Sequence, residues 1–205
     1  MAKKGLFITF EGGEGSGKSS LIKSLAAFFQ EKKLSFLKTR EPGGTPLSED
    51  IRALILHKEM CAHTELALYL ASRAEHTDKV LIPALKKGLI VLCDRYNDST
   101  FAYQGHARKL DLKMVKEACL FFSQNLKPDI TFYLDIDPEI GLKRASHQEL
   151  DRLEKEKIDF HRDIRKAFLK MAKQENQRFC IIDATLSKEK VLNLALDHLR
   201  QKNVI

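Results

Sequence analysis

The run Gly12-Gly13-Glu14-Gly15-Ser16-Gly17-Lys18-Ser19 reads G-x-x-x-x-G-K-S, a spacing of residue types suited to gripping phosphate. Glycines let backbone N–H groups turn inward around phosphate oxygens. A helix starting there adds partial positive charge from its unpaired amides. Lys18 can reach the outer phosphates of a nucleoside triphosphate, and the Ser19 hydroxyl can be offered to Mg2+. Asp94 and Arg95 are a second pair of chemical interest. Asp94 closes an apolar run, where a carboxylate either supports Mg2+, directly or through water, or caps the next segment. The planar fork of Arg95 suits bidentate phosphate recognition, the plain alternative being a surface ion pair. The third group is Arg40-Glu41-Pro42-Gly43-Gly44-Thr45-Pro46. Its glycines permit close backbone approach and Pro42 stiffens it, so Glu41 has little freedom. It is either a rigid turn or one wall of a second substrate pocket.

These groups need a frame, and the apolar pattern supplies one. Short apolar runs at 6–11, 34–39, 89–94, 130–136 and 179–183 read as strands. Helical spacing follows the glycine run to about Lys32-Lys33, then recurs at 49–57, 64–87, 112–125, 139–144, 160–174 and 188–200. The long stretch 64–87 is expected to bend near Pro83. The segment 95–105 is polar and aromatic, and 145–159 is dense in charge. Five apolar strands alternating with helices predict an α/β fold, a parallel sheet with helices on both faces. No linker or repeat divides residues 1–205, so a single domain is expected. Ligands of such sheets bind beyond the carboxyl ends of the strands, where Lys18, Glu41, Asp94 and Arg95 all fall.

The totals narrow the partners. The chain has 205 residues, 43% apolar and 31% charged, which fits a globular protein with a substantial core. Its net charge of +7 suits either nucleic acid or a small polyphosphate. Basic residues interleaved with aromatics, which would grip a single strand, are absent, so no nucleic acid is expected. Cys61, Cys93, Cys119 and Cys180 are far apart with no C-x-x-C, which argues against zinc; Cys93 and Cys180 are expected as buried reduced thiols. The histidines carry no ligand spacing, so His147, His161 and the others are expected on the surface or in a lid. With no signal peptide and no membrane-length apolar run, a reducing, cytoplasmic setting is expected.

Arg40-Glu41-Pro42-Gly43-Gly44-Thr45 resembles the hallmark of bacterial thymidylate kinases, as does Asp94-Arg95-Tyr96 followed by Ser99, Tyr103 and Gln104-Gly105. Tyr69 with Arg73 four residues on resembles the family's thymine clamp. Glu149-Leu150-Asp151-Arg152 is similar to its lid region and Ile182-Asp183-Ala184 to its last strand. The resemblance runs over essentially the whole chain. It implies the three-layer fold of P-loop NTPases, a lid at about 145–159, a homodimer, and transfer of the γ-phosphoryl of ATP to dTMP with Mg2+, on the route to dTTP. It implies that Gly12 to Ser19, with Ser20 and Arg144, hold ATP, and that Ser19 and Asp94 serve the metal. Arg52 and Arg95 would bind the dTMP phosphate, with Glu41, Pro42 and Ser99 nearby. Glu14 would sit by the sugar 3′-hydroxyl. Tyr69 would stack on thymine where the family usually has Phe. Arg73 would donate to the thymine carbonyl, while Thr100 and Gln104 fix the base. Tyr103 would lie under the sugar and exclude a 2′-hydroxyl. Lys18, Arg95 and Arg152 would be catalytic. Gly15 occupies the position where some members carry a loop arginine, so the lid should supply one. Here the lid start, Ala145-Ser146-His147-Gln148, is poor in arginine, leaving Arg152 over the phosphoryl and Arg144 on the adenine side.

Two other readings stay in view. A deoxynucleoside kinase would need a carboxylate base for the 5′-hydroxyl, for which Glu41 is the candidate, but Arg52 and Arg95 suit an acceptor that already bears phosphate. A nucleotide switch would be a third class; the guanine-reading N-K-x-D pattern is absent. A phosphate acceptor needs no general base, so positioning and charge neutralisation suffice for the kinase reading.

Overall fold

Strands Leu6–Glu11 (β1), Phe36–Arg40 (β2), Ile90–Asp94 (β3), Ile130–Asp135 (β4) and Phe179–Asp183 (β5) pair in the order β2-β3-β1-β4-β5, every pair parallel. The structure is a computed structural model describing residues 5–145 and 152–205. The helices are Lys18–Glu31 (α1), Pro46–His57 (α2), Ala62–His76 (α3), Ile82–Lys86 (α4), Asn97–Thr100 (α5), Leu112–Phe122 (α6), Pro138–Ala145 (α7), Ile158–Gln174 (α8) and Lys188–Gln201 (α9). Two wider π-helical segments, Thr77–Leu81 and Phe101–Ala107, join α3 to α4 and extend α5.

Side chains alternate across a strand, and both faces of this sheet are covered. Ile8, Phe10, Leu92, Ile130, Phe132, Leu134 and Ile182 face α1 and α9, meeting Leu21, Leu25, Phe29, Leu196 and Leu199. On the other face Phe7, Val91 and Cys93 pack with Leu81, Ala84 and Tyr96. Farther along that face Tyr133 and Phe179 join Leu66 and Leu70 of α3, Val115 of α6 and Phe168 of α8. This is the layered α/β arrangement expected of a P-loop NTPase. Among the described residues no helix is long and apolar enough to cross a membrane.

Local chemistry explains where elements depart from the expected bounds. Helix α2 begins at Pro46, earlier than 49: Pro46 occupies its first position and the Thr45 hydroxyl caps it, accepting from Ser48 N at 3.1 Å. The stretch 64–87 breaks at 77–81 rather than at Pro83 itself. Pro83 lacks an N–H and its ring crowds the carbonyl one turn before, so the ladder widens upstream. The segment 95–105 becomes helical from residue 97, its second half a π-helical turn that carries Tyr103 and Gln104 inward. Cys93 is buried, whereas Cys180 on β5 is half-buried. The four cysteines are free thiols. His76 and His161 correct the surface expectation: both are buried, on the inward faces of α3 and α8, and His147 lies outside the described residues with the rest of 146–151.

Candidate functional site

Paired residues at the strand ends bring the chemical groups together. Phe10 and Arg40 both register with Asp94, so the exits of β1, β2 and β3 lie side by side. Beyond β1 the glycine run wraps toward α1. Gly17 caps α1 in the left-handed region, φ 89, and Gly15 has φ +64. A Cβ on Gly15 would lie 2.0 Å from the Gly141 carbonyl oxygen of α7. With the loop and α7 packed this closely, a side chain at Gly15 would force one of them to shift, so this chain's loop is built around glycine.

Two cavities flank the loop. The larger, about 710 Å³, is lined by Glu14 to Leu21, by Arg144 and Ala145, and by Ala184, Leu186, Ser187 and Lys188 after β5. Arg144 is set there by donating Nη1 to the Ala184 carbonyl at 2.7 Å. The smaller, about 320 Å³, is lined by Glu41, Pro42, Arg52, Tyr69, Arg73, Asp94, Arg95, Ser99, Thr100, Tyr103 and Gln104. Glu14, Lys18, Ser19 and Glu154 line both cavities, so the two meet at the end of the loop.

At that junction the cations are already engaged. Lys18 Nζ donates to the Gly12 and Gly13 carbonyls at 3.0 Å each. Burial, with Arg95 nearby, pulls the Lys18 pKa down. Arg95 has φ 67; its Nη1 donates to Gly12 O at 3.1 Å and Ser99 Oγ at 3.3 Å, its Nη2 pairs with Glu14, and its guanidinium lies over the Tyr103 ring. Burial opposes the charge of Glu14, yet Arg95 and Lys18 hold its carboxyl down at about 2. Asp94 Oδ1 is buried without a hydrogen-bond partner, and Asp94 and Ser19 share the smaller cavity.

The far wall is a buried ion network. Glu41 accepts from Arg73 Nε at 2.8 Å and from His76 Nδ1 at 2.9 Å, and the Glu41 and Arg73 side chains are each 2% exposed. Arg73 Nη1 also donates to Thr100 Oγ1 at 3.0 Å. His76 Nε2 meets Thr39 Oγ1 at 2.7 Å, and a Cβ on Gly44 (φ +88) would strike the His76 ring at 2.5 Å, which explains the second glycine of the 40–46 loop. Arg52 Nη1 donates to the Pro42 carbonyl at 3.1 Å. Beneath the loop Glu11 is fully buried and accepts from Tyr96 N at 2.8 Å and Ser99 Oγ at 2.6 Å.

Of the residues singled out by sequence, Gly12 and Gly13 supply carbonyls to Lys18, Gly15 to Ser20 and Arg144 line the larger cavity, and the acceptor set lines the smaller one. Arg152 is the exception. Its Nη2 donates to Glu65 at 2.6 Å and its Nε to Ile55 O at 3.3 Å, and it lines neither cavity. Reaching a transferring phosphoryl would require it to leave that carboxylate. Sequence reasoning missed Glu11, Glu65, His76 and Glu154. Glu65 lies four residues before Tyr69, and His76 three after Arg73, on one helical face; that stripe of polar residues was the available signal.

A family model described as thymidylate kinase matches residues 10–195. The chain is 49% identical to the thymidylate kinase of Protochlamydia amoebophila over 211 residues, covering 97% of this chain and 94% of that one. It is 43% identical to the thymidylate kinase of Ligilactobacillus salivarius over 203 residues, 96% and 98% covered, and 42% identical to that of Bacillus mycoides over 206 residues, 97% and 99% covered.

Proposed function

The chain belongs to the thymidylate kinase family, and from that premise we propose how its residues divide the transfer of phosphoryl from ATP to dTMP. The observation that carries the assignment is the meeting of two cavities at Glu14, Lys18 and Ser19, each with its own set of cations. ATP takes the larger cavity, with its phosphates in the loop 12–19 and its adenine toward Arg144 and residues 184–188. dTMP takes the smaller one. Arg95 and Arg52 receive its phosphate, Tyr69 stacks on thymine, and Arg73, Thr100 and Gln104 meet the base edge. Tyr103 packs against the sugar, with Glu14 near its 3′-hydroxyl. Lys18 and Arg95 then stand on either side of the transferring group and neutralise charge as it moves between phosphate oxygens.

Asp94 and Ser19 fit Mg2+: a buried carboxylate oxygen lacks a partner beside a hydroxyl at the phosphate site. Mg2+ is commonly held by one or two protein ligands together with substrate phosphates and water, a role this pair could fill. When bound, Mg2+ would neutralise charge on the donor phosphates. A nucleoside 5′-hydroxyl acceptor is disfavoured, because both oxygens of Glu41 are already held by Arg73 and His76. We also propose one domain, a cytoplasmic setting and a homodimer. The apolar face of α3 is core, while Phe121 (76% exposed), Phe122 and Met114 give α6 an exposed apolar surface that a second copy would cover. The reading is tested by ADP formation from ATP and Mg2+ with dTMP, dUMP, dCMP, dGMP, AMP or thymidine. Strong turnover with dTMP and little with thymidine is expected; turnover with thymidine alone, or hydrolysis without acceptor, overturns it.

A further inference from the structure

Glu65 lies on the buried face of α3, one turn before Tyr69, with its side chain 1% exposed. It does not line the dTMP cavity. Four donors converge on it. Oε1 accepts from Gln104 Nε2 at 2.8 Å and Arg108 Nε at 3.3 Å. Oε2 accepts from Arg152 Nη2 at 2.6 Å and Arg108 Nη2 at 3.3 Å. Burial works against its charge, but the bonds from Gln104, Arg152 and Arg108 hold the carboxyl below its ordinary range. An ionised carboxylate can only accept, so the group that Gln104 turns toward it must be the amide NH2.

We propose that Glu65 is a specificity-determining positioning residue: it fixes the Gln104 amide with its carbonyl toward the acceptor base, selecting pyrimidines that carry an N–H at ring position 3. The inference rests on the smaller cavity being the dTMP site. A glutamine amide has two orientations of nearly equal shape and opposite polarity. Gln104 lines the cavity and is itself 1% exposed, so its polarity there is set by its neighbours, not by water. Thymine and uracil offer N3–H, which an amide carbonyl accepts. Cytosine offers a bare N3, which needs the reversed amide. Reversal would turn the Gln104 carbonyl against the Glu65 carboxylate, acceptor to acceptor, in a buried place. Arg108 and Arg152 keep Glu65 from becoming a donor. Arg108 is in turn held by Glu156 at 2.5 Å, so the segment after residue 151 contributes two groups to the arrangement that polarises the base pocket.

Glu65→Gln tests this, because glutamine at 65 can donate as well as accept and so releases the Gln104 amide. kcat/KM is measured with dTMP and with dCMP, ATP and Mg2+ in excess, for the wild type, Glu65→Gln, Gln104→Leu and Arg152→Met. Glu65→Gln is expected to lower the dTMP-to-dCMP ratio at least tenfold, through the KM values. Gln104→Leu, which keeps Glu65 and its arginines, is expected to lower it as far. Arg152→Met, which keeps the Glu65–Gln104 bond and leaves both Arg108 bonds to hold Glu65 ionised, is expected to leave the ratio in place. An unchanged ratio in Gln104→Leu, or in a Glu65→Gln protein that melts cooperatively, overturns the inference. A wild type that does not use dTMP would instead overturn the assignment of the cavity.

Discussion

Glu11→Gln should remove a pH dependence of stability that the wild-type protein carries. Glu11 is fully buried between the phosphate loop and the Arg95–Ser99 turn. Burial, with Asp98 adding to it, pushes the Glu11 carboxyl up to about 8, against the pull of Ser99, Arg95 and the Tyr96 amide. In the unfolded chain a glutamic acid titrates near 4.5. Between these values the folded state binds the extra proton, so stability is fully present below 4.5 and is lost as pH rises toward 8. At about 1.36 kcal/mol per unit, the loss between pH 5.5 and pH 8 is about 3 kcal/mol. For a domain of this size that is roughly 6–12 °C in Tm. A glutamine at 11 reproduces the protonated acid: its carbonyl accepts from Tyr96 N and its amide donates to Ser99 Oγ. Thermal melts of both proteins at pH 5.5 and pH 8 are compared. The Tm of Glu11→Gln minus that of the wild type should grow with pH by most of that amount. A difference that stays constant would refute a raised Glu11 carboxyl.

The buried wall and the metal position give further tests. Arg73→Met leaves Glu41 in a buried place with His76 as its partner, and removing one side of a buried pair costs about 3–5 kcal/mol. Its Tm should fall by roughly 6–20 °C, and a wild-type melting curve would show that the pair does not hold the wall. Asp94→Asn should raise the Mg2+ concentration for half-maximal activity by ~10–100-fold while the protein still melts cooperatively. An unchanged Mg2+ titration would remove Asp94 from the metal site.

The sheet was legible because its central strands are buried on both faces: 89–93 is apolar throughout and 130–134 is broken only by Thr131, and the short apolar runs of the half-exposed edge strands 36–40 and 179–183 recur at the same spacing between helical stretches. Register at the strand ends then carried the positions of Lys18, Glu41 and Asp94 to one edge. The segment 97–107 was not legible as helix, because its inward side chains mix polar Asn97, Asp98, Thr100 and Gln104 with apolar Phe101, Ala102 and Tyr103, and a π-helical turn has a different period from the α-helix. The resemblance implies Arg152 at the phosphoryl, and the carboxylate it meets in this structure could not be read from that motif, because Glu65 on α3 lies 87 residues away along the chain. Glu11 and Glu65 were passed over for one reason. A buried carboxylate inside a polar network has the same letter as one on a solvated helix face, and only burial and partners separate them.

Lys18 and Arg95, two of the cations assigned to the phosphates, are bonded to acceptors of the protein's own: loop carbonyls for Lys18, and Glu14 with Gly12 for Arg95. Substrate entry is therefore an exchange of partners and not the capture of anions by bare charge. A weak or singly charged anion has little with which to displace the resident acceptors, whereas a phosphate dianion offers several oxygens at once. Any phosphate bound at these two cations therefore competes with the protein's own acceptors, and part of its binding energy goes to replacing them.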